Sequence, residues 1–145
     1  MKQAMADLLE VENLSAGYGE AVVLSGIDLR IREGQSLALL GRNGTGKTTL
    51  INTLVGLTTL KAGTIKLDGR EITRARPERR AHAGIGWSPQ ERNIFKSLTV
   101  EENLTAVARP GPWTTAKVYA MFPRLAERRR NLGNQLSGEI GRAHV

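Results

Sequence analysis

The stretch Gly41-Arg42-Asn43-Gly44-Thr45-Gly46-Lys47-Thr48-Thr49 decides the class of fold. Its first eight residues match the pattern G-x-x-x-x-G-K-[ST] in full. Glycines let the backbone curl until successive N–H groups face inward, and a helix that starts at the lysine adds the positive end of its dipole. Lys47 supplies a positive charge, and Thr48 offers the kind of oxygen ligand that Mg²⁺ prefers. The stretch therefore predicts a P-loop that binds nucleotide phosphates together with Mg²⁺.

The residues around this loop predict an α/β fold. The uninterrupted apolar run Ser36–Leu40 is typical of a strand buried on both faces, and it leads directly into the loop. Apolar residues on one face of Lys47–Gly56 predict a helix that stops at the glycine. Trp87 is expected to pack in the core. Alternation predicts further strands at 8–14, 22–32, 63–67 and 84–88, turn chemistry fills 15–19, and helices are expected at 77–82, 99–107, 114–122 and 123–131.

Composition limits the class of protein. The chain has 145 residues, of which 40% are hydrophobic and none is cysteine, so disulfides and thiolate metal sites are excluded. The net charge of +7 arises entirely in the second half, from residue 70 onward. The arginine clusters at 79–80 and 128–130 lack the interleaved aromatic residues of a base-stacking platform. We interpret the basic half as a solvated helical surface, with a nucleic-acid or membrane-surface patch as the alternative.

With Ser15-Ala16-Gly17-Tyr18-Gly19 upstream of the P-loop and Ser88-Pro89-Gln90 downstream, the chain resembles the ATP-binding subunit of ABC transporters from about residue 8 to residue 138. Pro89–Phe95, Leu98–Leu104 and Phe122–Leu125 make it most similar to the ATPases of branched-chain amino acid importers. The resemblance implies an α/β P-loop NTPase core of the ABC-ATPase type, with an N-terminal antiparallel β subdomain and a helical subdomain, incomplete at the C-terminus. Residues 1–90 would form the core with the β subdomain, and 91–138 the helical subdomain.

The resemblance also implies roles for single residues. Tyr18 would stack on the adenine of ATP, which makes ATP with Mg²⁺ the expected ligand of the loop Gly41–Thr49. Gln90 would contact Mg²⁺ or the attacking water, so it is the expected catalytic residue and, with Thr48, an expected metal ligand. Leu136-Ser137-Gly138 would begin the signature motif, in which Ser137 and Gly138 act on the ATP of a partner subunit.

The resemblance implies partners as well. A second ATP-binding subunit, identical or homologous, would complete the nucleotide sites, and transmembrane permease subunits would dock on residues 91–98. A substrate-binding protein would join through the complex, at the cytoplasmic side of the membrane, and nucleic acid is not an expected partner. Two alternatives remain open: a soluble ABC-type ATPase that acts on ribosomes or nucleic acid, and an inert fragment.

The pattern of the family stops at Gly138. The sequence contains no match to the Walker B aspartate, the catalytic glutamate or the switch histidine. Residues 139–145, Glu-Ile-Gly-Arg-Ala-His-Val, correspond to an in-frame translation of a common sequencing adapter, so we expect this tail to be non-native. We further expect the 145-residue product to lack neighbours for its central strands, to be aggregation-prone and to bind nucleotide at best.

Overall fold

The computed structural model describes residues 7–89 and 94–136. The chain divides into two compact units, one up to Trp87 and one from Ser88 onward, and each is described by itself. The first unit contains the elements β1 (Asp7–Tyr18), β2 (Ala21–Arg32), α1 (Lys47–Val55), β3 (Thr59–Leu67), β4 (Arg70–Glu71) and α2 (Pro77–His82). The second contains α3 (Val100–Ala106), α4 (Thr115–Met121), α5 (Pro123–Glu127) and a 3₁₀ turn (Gly133–Gln135).

The first unit is built on an antiparallel sheet with the strand order β2-β1-β3-β4. β1 forms a hairpin with β2 and pairs on its other side with β3, so it is one of the two inner strands. Val11, Leu14 and Ile65 are almost fully buried, and Leu24 and Leu50 complete the core between the sheet and α1. The antiparallel β subdomain is therefore present, with the P-loop helix packed against it.

β1 is longer than the alternating pattern predicts, because a backbone irregularity lets the strand continue. Asn13 has a positive φ of 47°, and the register with β2 shifts between Val11 and Leu14. The backbone N–H of Asn13 donates to Asp28 Oδ1 at 2.7 Å, outside the ladder of backbone bonds. Such a bulge accommodates an extra residue without ending the strand. The expected turn at 15–19 is therefore wrong, and the chain turns only after Tyr18.

The helix after the P-loop agrees with the prediction. α1 begins at Lys47 and ends before Gly56, which has a φ of 93° and donates its N–H to Asn52 O. This left-handed conformation is the usual way for glycine to end a helix. The expected helix at 77–82 is likewise confirmed as α2.

Two predicted strands are absent. Residues 36–40 are not part of any strand, and Leu40 is 91% exposed. Residues 84–88 are not paired either, and Trp87 is exposed rather than part of the core. Apolar strands of this kind form only between neighbouring strands, and within the described residues none lies beside them. A hollow of about 290 Å³ lies beside the first run, lined by Leu24, Ile27, Leu39, Leu40, Gly41, Thr45, Gly46, Lys47 and Leu50.

The second unit is helical. α3 begins with a complete capping box, in which Thr99 Oγ1 accepts from the N–H of Glu102 and the Glu102 carboxylate accepts from the N–H of Thr99. Val100 and Leu125 form the centre of its small core. α5 ends at Glu127, earlier than the expected residue 131. Across the described residues, no helix has the length and apolar character needed to cross a membrane.

Candidate nucleotide-binding site

The P-loop joins the segment after β2 to the first turn of α1, and its glycines are required by its geometry. Gly46 has a φ of 91°, and a Cβ placed there would lie 2.9 Å from Leu24 Cδ2. At Gly41, which has a φ of 154°, a Cβ would lie 2.9 Å from Thr45 Oγ1. L-residues with side chains rarely adopt these conformations, and here a side chain would also collide with its neighbours. The backbone therefore curls tightly only because both positions are glycine.

The N-terminus of α1 is open to an anion. Gly46 occupies the N-cap position, no side chain caps the helix, and its first turn contains no acidic residue. The first N–H groups of a helix have no acceptor within the helix, and the dipole leaves positive potential beside them. A phosphate is a suitable acceptor for such a group of donors.

Two threonines in the first turn of α1 have different surroundings. Thr48 is exposed, so its hydroxyl can serve as a ligand. Thr49 is buried and belongs to the packed side of the helix, where its carbonyl accepts from Thr53 Oγ1 at 2.6 Å. Thr49 can therefore contribute its backbone N–H to a phosphate rather than its hydroxyl.

Lys47 is held inside the curl of the loop. Its Nζ donates to Gly41 O at 2.6 Å and to Arg42 O at 2.7 Å. Thr45 Oγ1 donates to the same Arg42 carbonyl at 2.9 Å, so this oxygen ties the loop together. None of the ion pairs between described residues involves Lys47. An ammonium group bound only by neutral carbonyls can exchange them for the stronger charge-assisted bonds of a phosphate.

The remaining loop residues are also accessible. Arg42, Asn43 and Gly44 are exposed, and the Gly44 φ of 83° continues the left-handed curl of the loop. The structure thus brings together the whole predicted set from Gly41 to Thr49, as one loop followed by one helical turn.

Tyr18 lies at the end of β1, where the hairpin to β2 turns. It pairs with Ala21 in the register of the hairpin, and its side chain is about half exposed. The preceding Gly17 is required, because a Cβ there would overlap the carbonyl oxygen of Ala21. The Tyr18 hydroxyl accepts a hydrogen bond from Asn52 Nδ2 on α1 at 3.0 Å. The tyrosine is thereby linked to the helix that follows the P-loop.

The other end of α1 is held by Arg80, a residue that sequence reasoning missed. Its guanidinium donates through Nη1 to Thr53 O at 2.7 Å and Leu54 O at 2.9 Å, in the last turn of α1. Its remaining bonds run to Ala75 O at 2.9 Å and Thr73 O at 2.8 Å. A cation at the C-terminus of a helix is favourable. Burial lowers the pKa of Arg80 from its usual value, and four backbone carbonyls rather than a carboxylate stabilise its charge.

The second unit presents an ordered loop before α3. Asn103 donates through Nδ2 to the carbonyls of Phe95, Leu98 and Thr99, and its Oδ1 accepts from the N–H of Phe95 at 2.9 Å. The Phe95 side chain is 56% exposed even though its backbone is fixed. This loop includes the last part of the segment expected to face transmembrane subunits.

Three predicted functional residues cannot be placed. Gln90, Ser137 and Gly138 lie outside the described residues, as do residues 91–93 and the tail 139–145. Their roles stay predictions.

The loop, the open helix end and the antiparallel sheet together define a P-loop nucleotide-binding protein. The family model for ABC transporters matches residues 24–140, so the chain belongs to the ABC transporter ATP-binding family. Proteins of this family in general bind ATP and hydrolyse it.

Relatives and solved structures agree on the family. The "Probable branched-chain amino acid transport ATP-binding protein LivF" of Archaeoglobus fulgidus is 42% identical over 70% of this chain and 43% of its own length. The "Lipopolysaccharide export system ATP-binding protein LptB" of Haemophilus influenzae is 43% identical over 69% of this chain and 42% of its own length. A solved ATP-binding subunit of an ABC transporter is 28% identical to this chain. Their superposition has a TM-score of 0.77 and covers 94% of this chain and 58% of the solved one. The chain thus spans less than half of the length of these curated relatives.

Proposed function

We propose that this chain is the nucleotide-binding part of the ATP-binding subunit of an ABC importer for branched-chain amino acids. The observation that supports nucleotide binding most strongly is the position of Lys47. Its ammonium group lies in the curl of the P-loop at the open end of α1, and among the described residues its hydrogen bonds run to the carbonyls of Gly41 and Arg42. A triphosphate would draw this charge and the first N–H groups of the helix onto the same oxygens.

ATP is the proposed nucleotide, and its Mg²⁺ would arrive with the phosphates. Tyr18 offers an aromatic face for the adenine, and the exposed hydroxyl of Thr48 suits a Mg²⁺ ligand. No group of three or more acidic or histidine side chains among the described residues could hold a metal by itself. A single threonine hydroxyl fits a cation that takes most of its ligands from phosphate oxygens and water. By the family resemblance, Gln90 would supply a further ligand.

We propose that ATP hydrolysis requires residues other than the 145 of this sequence. Hydrolysis needs a group that orients or polarises the water and complete coordination of Mg²⁺. The 145 residues contain no match to the Walker B aspartate or to the catalytic glutamate. The full-length dimer would supply both, and Ser137 and Gly138 would act on the ATP of the partner subunit.

The proposed partners are transmembrane permease subunits, with a substrate-binding protein in the same complex. Phe95 supports this proposal, because Asn103 fixes its backbone while its side chain stays exposed. A rigidly presented aromatic residue is a typical anchor at a protein interface. The subunit would then lie at the cytoplasmic side of the membrane.

The proposed substrate class rests on the short segments 89–95, 98–104 and 122–125 and on the resemblance to LivF. Other relatives are named for lipopolysaccharide export and ribose import, so transport itself is the appropriate test. Deleting the gene in its host should lower uptake of labelled leucine, isoleucine and valine and leave ribose uptake unchanged. The intact locus should restore uptake, and the same locus with Lys47→Ala should not. Unchanged leucine uptake, or a selective loss of ribose uptake, would refute the proposed substrate.

The second candidate is a soluble ABC-type ATPase that acts on nucleic acid or ribosomes. The observation in its favour is the exposed run of basic residues Arg128, Arg129 and Arg130. Binding to nucleic acid through these residues would weaken steeply with rising salt concentration. Salt-dependent retention of the chain on RNA, lost when the three arginines are replaced by glutamine, would favour this candidate over the importer.

A further inference from the structure

We propose that Asn52 is a positioning residue for the nucleotide base, acting through Tyr18. The inference rests on the proposed function, because it assumes that Tyr18 contacts the base of a nucleotide held by the P-loop. The observation behind it is the hydrogen bond of 3.0 Å from Asn52 Nδ2 to the Tyr18 hydroxyl, which joins residues 34 positions apart in the sequence.

Asn52 lies on the same helix as the phosphate-binding groups. It follows Lys47 by five residues, which corresponds to about 7.5 Å along the axis of α1 at the usual helical rise. It also shares a face of the helix with Thr48, since side chains four positions apart lie above one another. A group that Asn52 holds is therefore fixed relative to the N-terminus of α1, where the phosphates would bind.

Tyr18 needs such a constraint to present its ring in one orientation. It is the last residue of β1 and is followed by the turn at Gly19, with its side chain 48% exposed. An exposed aromatic side chain next to a turn has several rotamers open to it. The bond to Asn52 selects those in which the hydroxyl points to α1, and a base can then stack on a ring that is already oriented.

The fold itself does not depend on this bond. Leu24 of β2 and Leu50 of α1 are both buried in the core that holds the hairpin against the helix. The bond between Asn52 and Tyr18 lies at the surface instead. Removing it should therefore leave the phosphate site intact and change only how the base is held.

The test compares binding of MgATP with binding of inorganic tripolyphosphate, which has the phosphates without the base, by isothermal titration calorimetry on the 145-residue chain. Asn52→Ala and Tyr18→Phe should each weaken ATP binding about three- to tenfold, the effect of one lost hydrogen bond. Neither should change tripolyphosphate binding. The double variant should be no weaker than either single variant, because both remove the same bond.

Three further variants separate positioning from a structural role. Asn52→Asp keeps a partner for Tyr18, whose O–H can donate to the carboxylate, so the ratio of ATP to tripolyphosphate affinity should stay near that of the unaltered chain. Ile51→Ala, on the same helix with no bond to Tyr18, should keep the ratio as well. Tyr18→Ala should lower it more than Asn52→Ala does.

The outcomes distinguish this inference from the proposed function. Equal losses of ATP and tripolyphosphate binding in Asn52→Ala would overturn the positioning role. The role would also be overturned if the ratio of ATP to tripolyphosphate affinity stayed unchanged in Asn52→Ala but fell in Tyr18→Ala. An unchanged ratio in Tyr18→Ala would overturn the contact between Tyr18 and the base. If Lys47→Ala bound both ligands as well as the unaltered chain, the proposed nucleotide site itself would fall.

Discussion

Replacing Arg80 by methionine removes the group that holds the C-terminal end of the P-loop helix. Arg80 is 4% exposed, and its guanidinium donates four hydrogen bonds to backbone carbonyls, two of them in the last turn of α1. Methionine fills much of the space of the arginine stem but leaves all four acceptors without this donor.

The expected loss can be estimated from these bonds. A hydrogen bond from a charged donor contributes about 1.5–3 kcal/mol, but methionine also avoids the cost of burying a charge, and the four bonds are not additive. We expect Arg80→Met to lower the free energy of unfolding by about 3–5 kcal/mol, a large share of the stability of a small domain. Urea denaturation followed by circular dichroism measures this difference, and amide hydrogen exchange locates it in α1.

Arg79 provides the matched control. It precedes Arg80 on α2 but is exposed, so Arg79→Met should change the free energy of unfolding by less than about 0.5 kcal/mol. A loss below about 1 kcal/mol for Arg80→Met, or equal losses for the two variants, would refute the structural role assigned to Arg80.

Three further predictions concern other parts of the chain. Hydrogen bonds from the backbone and side chain of Thr99 lower the pKa of Glu102. The stability that these bonds give α3 should therefore be complete above the ordinary glutamate pKa and be lost as the pH falls through the lowered value. An NMR titration that found the Glu102 pKa raised would contradict this. Leu40→Ser should reduce binding of a hydrophobic dye and self-association seen by light scattering, because Leu40 is 91% exposed. Equal dye binding by the variant and the unaltered chain would contradict the exposure of Leu40. Asn103→Ala should speed amide exchange at Phe95, whose N–H loses its acceptor; unchanged exchange would mean that the loop is ordered by other contacts.

The parts of the fold that sequence could predict are those that local chemistry determines. The P-loop and α1 follow from glycine spacing, the lysine and the terminal Gly56, and the start of α3 follows from Thr99 and Glu102. Each of these features depends on residues within a few positions of one another, so a pattern in the sequence is sufficient.

The parts that could not be predicted depend on contacts distant in sequence. The apolar run at 36–40 has the composition of a buried strand, but strand formation needs neighbours that the run itself does not supply. Arg80 belongs to a cluster of arginines, and nothing local distinguishes it from the exposed Arg79. The bond from Asn52 to Tyr18 likewise could not be predicted from sequence, because it joins a helix to the end of a strand.

The binding of ATP phosphates by Lys47 and the P-loop is the property on which every proposed function of this chain depends. Calorimetric titration of the chain with MgATP tests this claim, with Lys47→Ala as the variant and Lys61→Ala, a lysine paired with Glu20, as the control. We predict that the chain binds MgATP, that Lys61→Ala binds it equally well, and that Lys47→Ala binds it about 10- to 150-fold more weakly, the effect of losing a charge-assisted bond. Equal affinities for the unaltered chain and Lys47→Ala, or no binding by a folded chain, would contradict the account.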